Sequence, residues 1–191
     1  MKQINQYKRL LWHKYLRSNN KEMLPRYLHA LAVLEKSEEL VERFHFNIDH
    51  NRVQLAALFH DYAKFEKEER FKEVALKYEP ELDLKKISPK IYHALLGPYI
   101  IKEELGIDDE SILNAIRCHT TGSLNMDLLA EIIFLADFID DSRIEDYFDE
   151  VKKLAKTNFK KAIALKFKQK IEELTNPSEE LHILYNKYAE E

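Results

Sequence analysis

The chain has 191 residues, 45% hydrophobic and 34% charged, with three glycines, five prolines and a formal net charge of −4 at pH 7. That length suits one domain with a sizeable core, and few helix breakers among many Leu, Ile, Ala, Glu and Lys residues point to an all-α protein. The mild acidity argues against nucleic acid held over a broad surface, and the single cysteine, Cys118, allows no intrachain disulfide and fits a reducing cytoplasm.

In chain order, residues 3–18 are expected as a short helix offering Leu10, Leu11, Trp12 and Tyr15 to the core. The stretch MKQINQYKRLLWHKYLRSNN, 1–20, has no uninterrupted apolar core and no small-residue cleavage site, so no signal peptide is expected. Residues 25–44 read as a second helix, with Pro25 near its start and apolar positions at Leu28, Leu31, Ala32, Leu40, Val41 and Phe44. The IDHNR stretch, 48–52, reads as a loop in which Asp49 can cap the next helix. That helix carries LAALFHDYAKF, 55–65.

Residues 66–86 are charged and less periodic and read as helical pieces and loops. Ser88-Pro89 opens a helix running to about Leu105, with Gly106 as its stop, and Pro98 inside the run predicts a kink or break. Its most apolar uncharged part, IYHALLGPYII, is far too short to span a bilayer. Asp108 and Asp109 can cap a helix over 110–119, residues 120–123 read as a turn, and 126–139 as a strongly apolar helix. Residues 145–174 show an amphipathic pattern with a split near Thr157-Asn158. Asn176-Pro177 ends it, and a last short helix carries Leu181, Leu184 and Tyr185.

Several of these apolar faces end in polar side chains. Residues three, four and seven apart share a helix face. Counting back from His60 gives Ala57, Ala56 and Val53; from His119, Ile116, Ala115 and Ile112; from Asp137, Phe134, Ile133 and Ala130. His29 and His93 also lie on apolar stretches. A lone histidine there is usually a core residue bonded to a carbonyl, but an aspartate is almost never buried without a partner. Asp137 has no Lys or Arg on its own helix face within a turn. Four histidines and two aspartates so placed point to a shared centre.

Imidazole and carboxylate ligate Zn, Fe, Mn, Co or Ni, and the lack of paired thiolates excludes a Cys-type structural zinc site. His60 and Asp61 are adjacent and diverge by about 100° on an ideal helix. They can meet one ion only off the helix edge or end, in a groove between helices. His13, His45, His50 and His182 read as surface or structural residues.

The set His29, His60-Asp61 and Asp137 resembles the signature of the HD-domain metal-dependent phosphohydrolases. RYLHALAV, AALFHDYAKF, YHALLGPYIIKEELGI, AIRCHTTG and IIFLADFIDDSR are similar to the YqeK branch of that superfamily, over about residues 24–165. The resemblance implies an all-α HD-domain bundle as a single domain over 1–191, with its metal-site core in about 24–145 and a C-terminal helical extension over 146–191. It implies symmetrical hydrolysis of diadenosine tetraphosphate to two ADP, with a bound iron. Another HD nucleotide phosphohydrolase, or a nucleotide-binding regulator without turnover, stays open as an alternative.

By the same resemblance His29, His60, Asp61 and Asp137 surround the first metal. His93 and His119 either hold a second ion or contact phosphate and act as acids, and Asp61 orients the attacking water. Lys64, Thr120 and Arg143 line the phosphate pocket with them. The implied partner is a dinucleoside polyphosphate or ADP, with no nucleic acid and no membrane; a homodimer is the commonest symmetric assembly. The chain departs from the family pattern at Asp140, Asp141 and Ser142, where Glu-Pro is usual, at IEDYF after Arg143, and at Pro98.

Overall fold

A computed structural model describes residues 2–190. Among these residues there are eleven α-helices and no strand. The centre is built from α2 (Met23–Arg43), α3 (His50–Phe59), α7 (Glu110–Cys118) and α8 (Leu128–Ile139), which pack on one another. Helix α1 (Lys2–Ser18) lies against α2 and α3, to which it gives Leu11 and Tyr15, both fully buried.

Two apolar positions expected inside lie outside. Leu10 is 38% and Leu28 is 54% exposed. On α2 the inward face is His29, Ala30, Val33, Leu34, Ser37, Leu40 and Val41, so the stripe is rotated away from Leu28. Ser37 survives in it because its hydroxyl donates to the Val33 carbonyl at 2.8 Å, which satisfies a buried polar group locally.

Helix α3 is capped by Asp49, whose side chain accepts from the Asn51 N–H. Val53 and then Leu55 through Phe59 are all buried. Such a helix is covered on every side, which makes it the axis of the bundle. It ends at Phe59, one residue before the His-Asp pair, and the chain turns through Tyr62 N–H to Phe59 O and Lys64 N–H to Asp61 O. The doublet thus projects from a helix end rather than from a continuous helix over 55–65.

Helix α4 (Glu68–Tyr78) follows. The run from Ser88 breaks as the proline requires. After one 3₁₀ turn come α5 (Tyr92–Leu95) and α6 (Gly97–Leu105), with Pro98 in the first turn of α6. A Cβ built on Gly97 would stand 3.3 Å from the Ala63 Cβ, so the missing side chain lets α6 close on the 60–65 turn. Asp109 caps α7 through the Ser111 and Ile112 N–H groups. Asp127 caps α8, which starts at Leu128, two residues later than expected, through the Ala130 N–H.

The C-terminal part comprises α9 (Asp149–Ala155), α10 (Phe159–Glu173) and α11 (Glu179–Ala189), with Asn158 and Ser178 as side-chain caps. The split near Thr157-Asn158 is where the sequence pattern places it. Helix α10 packs on α8 and α11. Phe167 is fully buried and stacks on Phe134 at 4.7 Å and on Tyr188 at 5.8 Å; burying such a ring contributes about 1.5–3 kcal/mol. Among the described residues no helix is long and apolar enough to cross a membrane.

Candidate metal centre

The four central helices deliver polar side chains to one point. His60 follows the last residue of α3, and His119 follows the last residue of α7. Both rings are fixed the same way: His60 Nδ1 donates to the Ala57 carbonyl at 2.7 Å and His119 Nδ1 to the Ile116 carbonyl at 2.6 Å. A carbonyl only accepts, so each Nδ1 carries the proton, and Nε2 of the neutral ring offers a lone pair. This is the arrangement that orients a metal-ligating imidazole.

The imidazole Nε2 atoms and the carboxylate oxygens converge. His60 Nε2 is 3.3 Å from His29 Nε2, which is 3.0 Å from Asp137 Oδ1. Asp61 is buried, with Oδ2 3.6 Å from His60 Nε2, and Oδ1 2.9 Å from His93 Nε2 and 3.6 Å from His119 Nε2. Two triads, His29–His60–Asp137 and His60–Asp61–His119, each bring their ligand atoms within 4.8 Å of one another. Despite its neighbours, Asp61 Oδ1 accepts no hydrogen bond among the described residues. A buried carboxylate oxygen beside two imidazole nitrogens, with no hydrogen bond of its own, fits a cation. The residues present therefore match a divalent metal in donor type and arrangement.

The electrostatics follow. Burial opposes the charge on Asp61 and Asp137, but the surrounding histidines outweigh it and hold both carboxyls well below the usual range. Burial also works against a charged His29, but the Asp137 and Asp140 carboxylates prevail and raise it to about 9. His119 goes the other way: burial, helped by His60 and His93, pushes it down to about 4 despite Asp61. Burial lowers His93 as well.

Cations rim the cluster. Lys64 Nζ is 3.1 Å from His93 Nε2 and 3.4 Å from Asp61 Oδ1. Arg143 folds back from beyond α8 to lie 3.3 Å from Asp137 Oδ1, which supplies the basic partner missing from the helix face itself. Thr120 Oγ1 is 2.9 Å from His119 Nε2. Every candidate site residue drawn from the sequence thus lies in or beside one cluster.

Sequence reasoning missed others. Arg26 donates to Asp61 Oδ2 at 2.7 Å; it stands one turn before His29 on α2, and that spacing was the available signal. Asp140 is buried, with Oδ2 3.4 Å from His29 Nδ1, so a carboxylate backs this imidazole. Tyr15 donates to the Asp61 carbonyl at 2.8 Å, a contact across 46 residues with no local signal. From α10, the buried Lys166 donates to the Phe134 carbonyl and Lys170 to the Thr120 carbonyl.

Comparison with known proteins is consistent with this geometry. The HD domain family model matches residues 26–141. A Bacillus subtilis protein named bis(5'-nucleosyl)-tetraphosphatase, symmetrical, is 40% identical over 138 residues, covering 72% of this chain and 73% of its own. A Staphylococcus aureus protein of the same name is 34% identical, with 71% and 70% covered. A crystal structure from Clostridium acetobutylicum, described as a predicted HD superfamily hydrolase involved in NAD metabolism, superposes with a TM-score of 0.80 at 30% identity, covering 94% of this chain and 95% of that one.

Proposed function

Because the chain belongs to the HD-domain family, alongside proteins named symmetrical bis(5'-nucleosyl)-tetraphosphatases, we propose that it hydrolyses diadenosine tetraphosphate at the central anhydride to give two ADP. The observation that carries this reading is Asp61, a buried carboxylate whose two oxygens face different histidines and whose Oδ1 lacks a donor. We propose that His29, His60, Asp61 and Asp137 hold one divalent ion, and that Asp61, His93 and His119 hold a second. Asp61 is then the bridge.

A divalent ion bound there supplies a water of lowered pKa and withdraws charge from phosphoryl oxygens. Iron is the proposed metal; the imidazole and carboxylate donors suit it, as they suit Mn, Co, Ni and Zn. Asp61 orients the attacking water from its buried position. Arg26, Lys64 and Arg143 neutralise the four-phosphate chain, and the two arginines can grip phosphate oxygens bidentately. Thr120 adds a hydroxyl donor beside His119.

His93 and His119 are assigned as ligands rather than acids. Burial favours their neutral form, and the neutral ring is the one that ligates. The leaving group makes little demand for an acid. A phosphate's second pKa is roughly 6, so the departing ADP is stable as an anion at neutral pH, held by the rim cations.

The test is a product assay with metal analysis on one preparation. Diadenosine tetraphosphate should give ADP alone, with metal bound to the protein. Release of ATP and AMP, or no turnover across iron, manganese and cobalt, would overturn the reading.

A further inference from the structure

One cavity reaches the metal centre, and a second lies beside it across the Lys170–Thr120 contact. The first, bounded by Lys64 and His93, has a volume of about 220 Å³, below the ~300–1,000 Å³ usual for small-molecule pockets. The other, about 350 Å³, lies between the 120–122 turn and the C-terminal helices α10 and α11, and falls within that range. Its walls are Thr121, Gly122 and Lys170 on the inner side and Leu174, Leu181 and Leu184 on the outer side.

This second cavity is tied to the centre by two contacts. Lys170 lines it and donates to the Thr120 carbonyl, while the Thr120 hydroxyl lies 2.9 Å from His119 Nε2. Gly122 is fixed as well. Its φ is +75°, and a Cβ built there would stand 2.6 Å from the Phe167 ring, so α10 presses directly on the turn. The three leucines and Lys170 lie outside the segment matched by the family model, residues 26–141.

The chemistry varies along the cavity. At the inner end an ammonium group stands one residue from the site. The outer wall is aliphatic, and Ser178 and Glu180 complete the lining. A carboxylate there repels phosphate but tolerates a neutral nucleoside. A phosphate at the inner end and an uncharged ring system at the outer end is the order of groups in one arm of the proposed substrate.

We propose that the cavity between the 120–122 turn and helices α10 and α11 receives one nucleoside end of the dinucleoside polyphosphate, with Lys170 holding the phosphate next to it. This rests on the reading of the metal centre given above. It makes the C-terminal helices part of substrate recognition, with hydrolysis left to the central four.

The test is calorimetric titration of the metal-loaded protein with ADP and, separately, with inorganic pyrophosphate, which lacks the nucleoside. Leu181→Trp fills the cavity. Leu174→Glu puts a charge on its wall at a position that is 51% exposed, where folding is insensitive to the change. Both should weaken ADP binding about tenfold, the scale set by pocket contacts to an apolar group, and leave pyrophosphate binding within twofold. ADP binding at wild-type strength in both variants would overturn the proposal, as would equal loss of ADP and pyrophosphate. Because binding is read rather than turnover, a wild type that binds ADP more tightly than both variants but does not release it from diadenosine tetraphosphate supports the cavity assignment and refutes the hydrolase reading.

Discussion

Asp61 Oδ1 lies 2.9 Å from His93 Nε2, yet no donor satisfies it. Both residues are buried, and a divalent cation held by both atoms would satisfy the contact. Asp61→Asn keeps the shape, removes the charge and offers an amide group toward imidazole nitrogens. Its backbone remains held by Tyr15 through the Asp61 carbonyl, so the fold should persist. Turnover should fall by roughly 10²–10⁴-fold, the range for losing a positioned proton-handling group, and metal content should drop in the same preparation. A folded Asp61→Asn protein with full metal content and wild-type turnover would contradict the bridging role.

Asp140 stands behind His29, with Oδ2 3.4 Å from His29 Nδ1 and 3.4 Å from Arg143 Nε. A carboxylate so placed holds the imidazole in register and raises its basicity. Asp140→Asn should weaken metal binding by roughly 10–100-fold, read by competition with a chelator, while saturating metal restores most of the turnover. Unchanged affinity would make Asp140 a structural residue only.

Most of the fold was legible because its signals are local. Asp49 and Asp109 cap where their spacing from apolar runs places them, the helix splits at Thr157-Asn158, and Pro98 breaks its helix through its missing N–H. The metal cluster was legible for a different reason. A buried face ending in His or Asp conflicts with its surroundings, and that conflict is visible in one dimension. What escaped depends on contacts between elements. Leu28 looked apolar enough to be buried, but the burial of His29 sets the rotation of α2. The Tyr15–Asp61 and Lys170–Thr120 contacts join segments 46 and 50 residues apart, and neither residue stands out in its own stretch. Asp140 appeared only as a departure from the family pattern, because its backing role needs the position of His29 in space.

Arg26 and Lys64 approach Asp61 from its two oxygens, at 2.7 Å and 3.4 Å, and both are partly open to solvent. That placement suits a group that exchanges a carboxylate for a phosphate when substrate arrives. Arg26→Ala and Lys64→Ala should each raise KM for diadenosine tetraphosphate by roughly 10–100-fold, the equivalent of one lost charge-assisted hydrogen bond. The metal should stay bound, as neither side chain is a ligand. Loss of metal from either variant would move that residue from substrate binding into support of the centre.

The histidines predict how the metal-free protein responds to pH. His119 is held at about 4 in the fold, by burial first and then by His60 and His93, against roughly 6.5 in the unfolded chain. Between those values the unfolded chain binds more protons than the folded one, so stability falls as pH falls. The contribution of His119 is complete above about 6.5 and is lost on the way down to about 4. His93 is shifted in the same direction. His29, raised to about 9 by Asp137 and Asp140 against the effect of burial, has the opposite sign. Its contribution is complete below about 6.5 and is lost as pH rises through about 9. Chelator-treated protein should therefore melt at progressively lower temperature from pH 7 to pH 4.5. His119→Gln, which cannot titrate, should show a shallower acid decline than the parent over the same range. Parallel declines in the two proteins would mean that His119 is not held neutral by the fold and that the acid limb is set by the carboxylates instead.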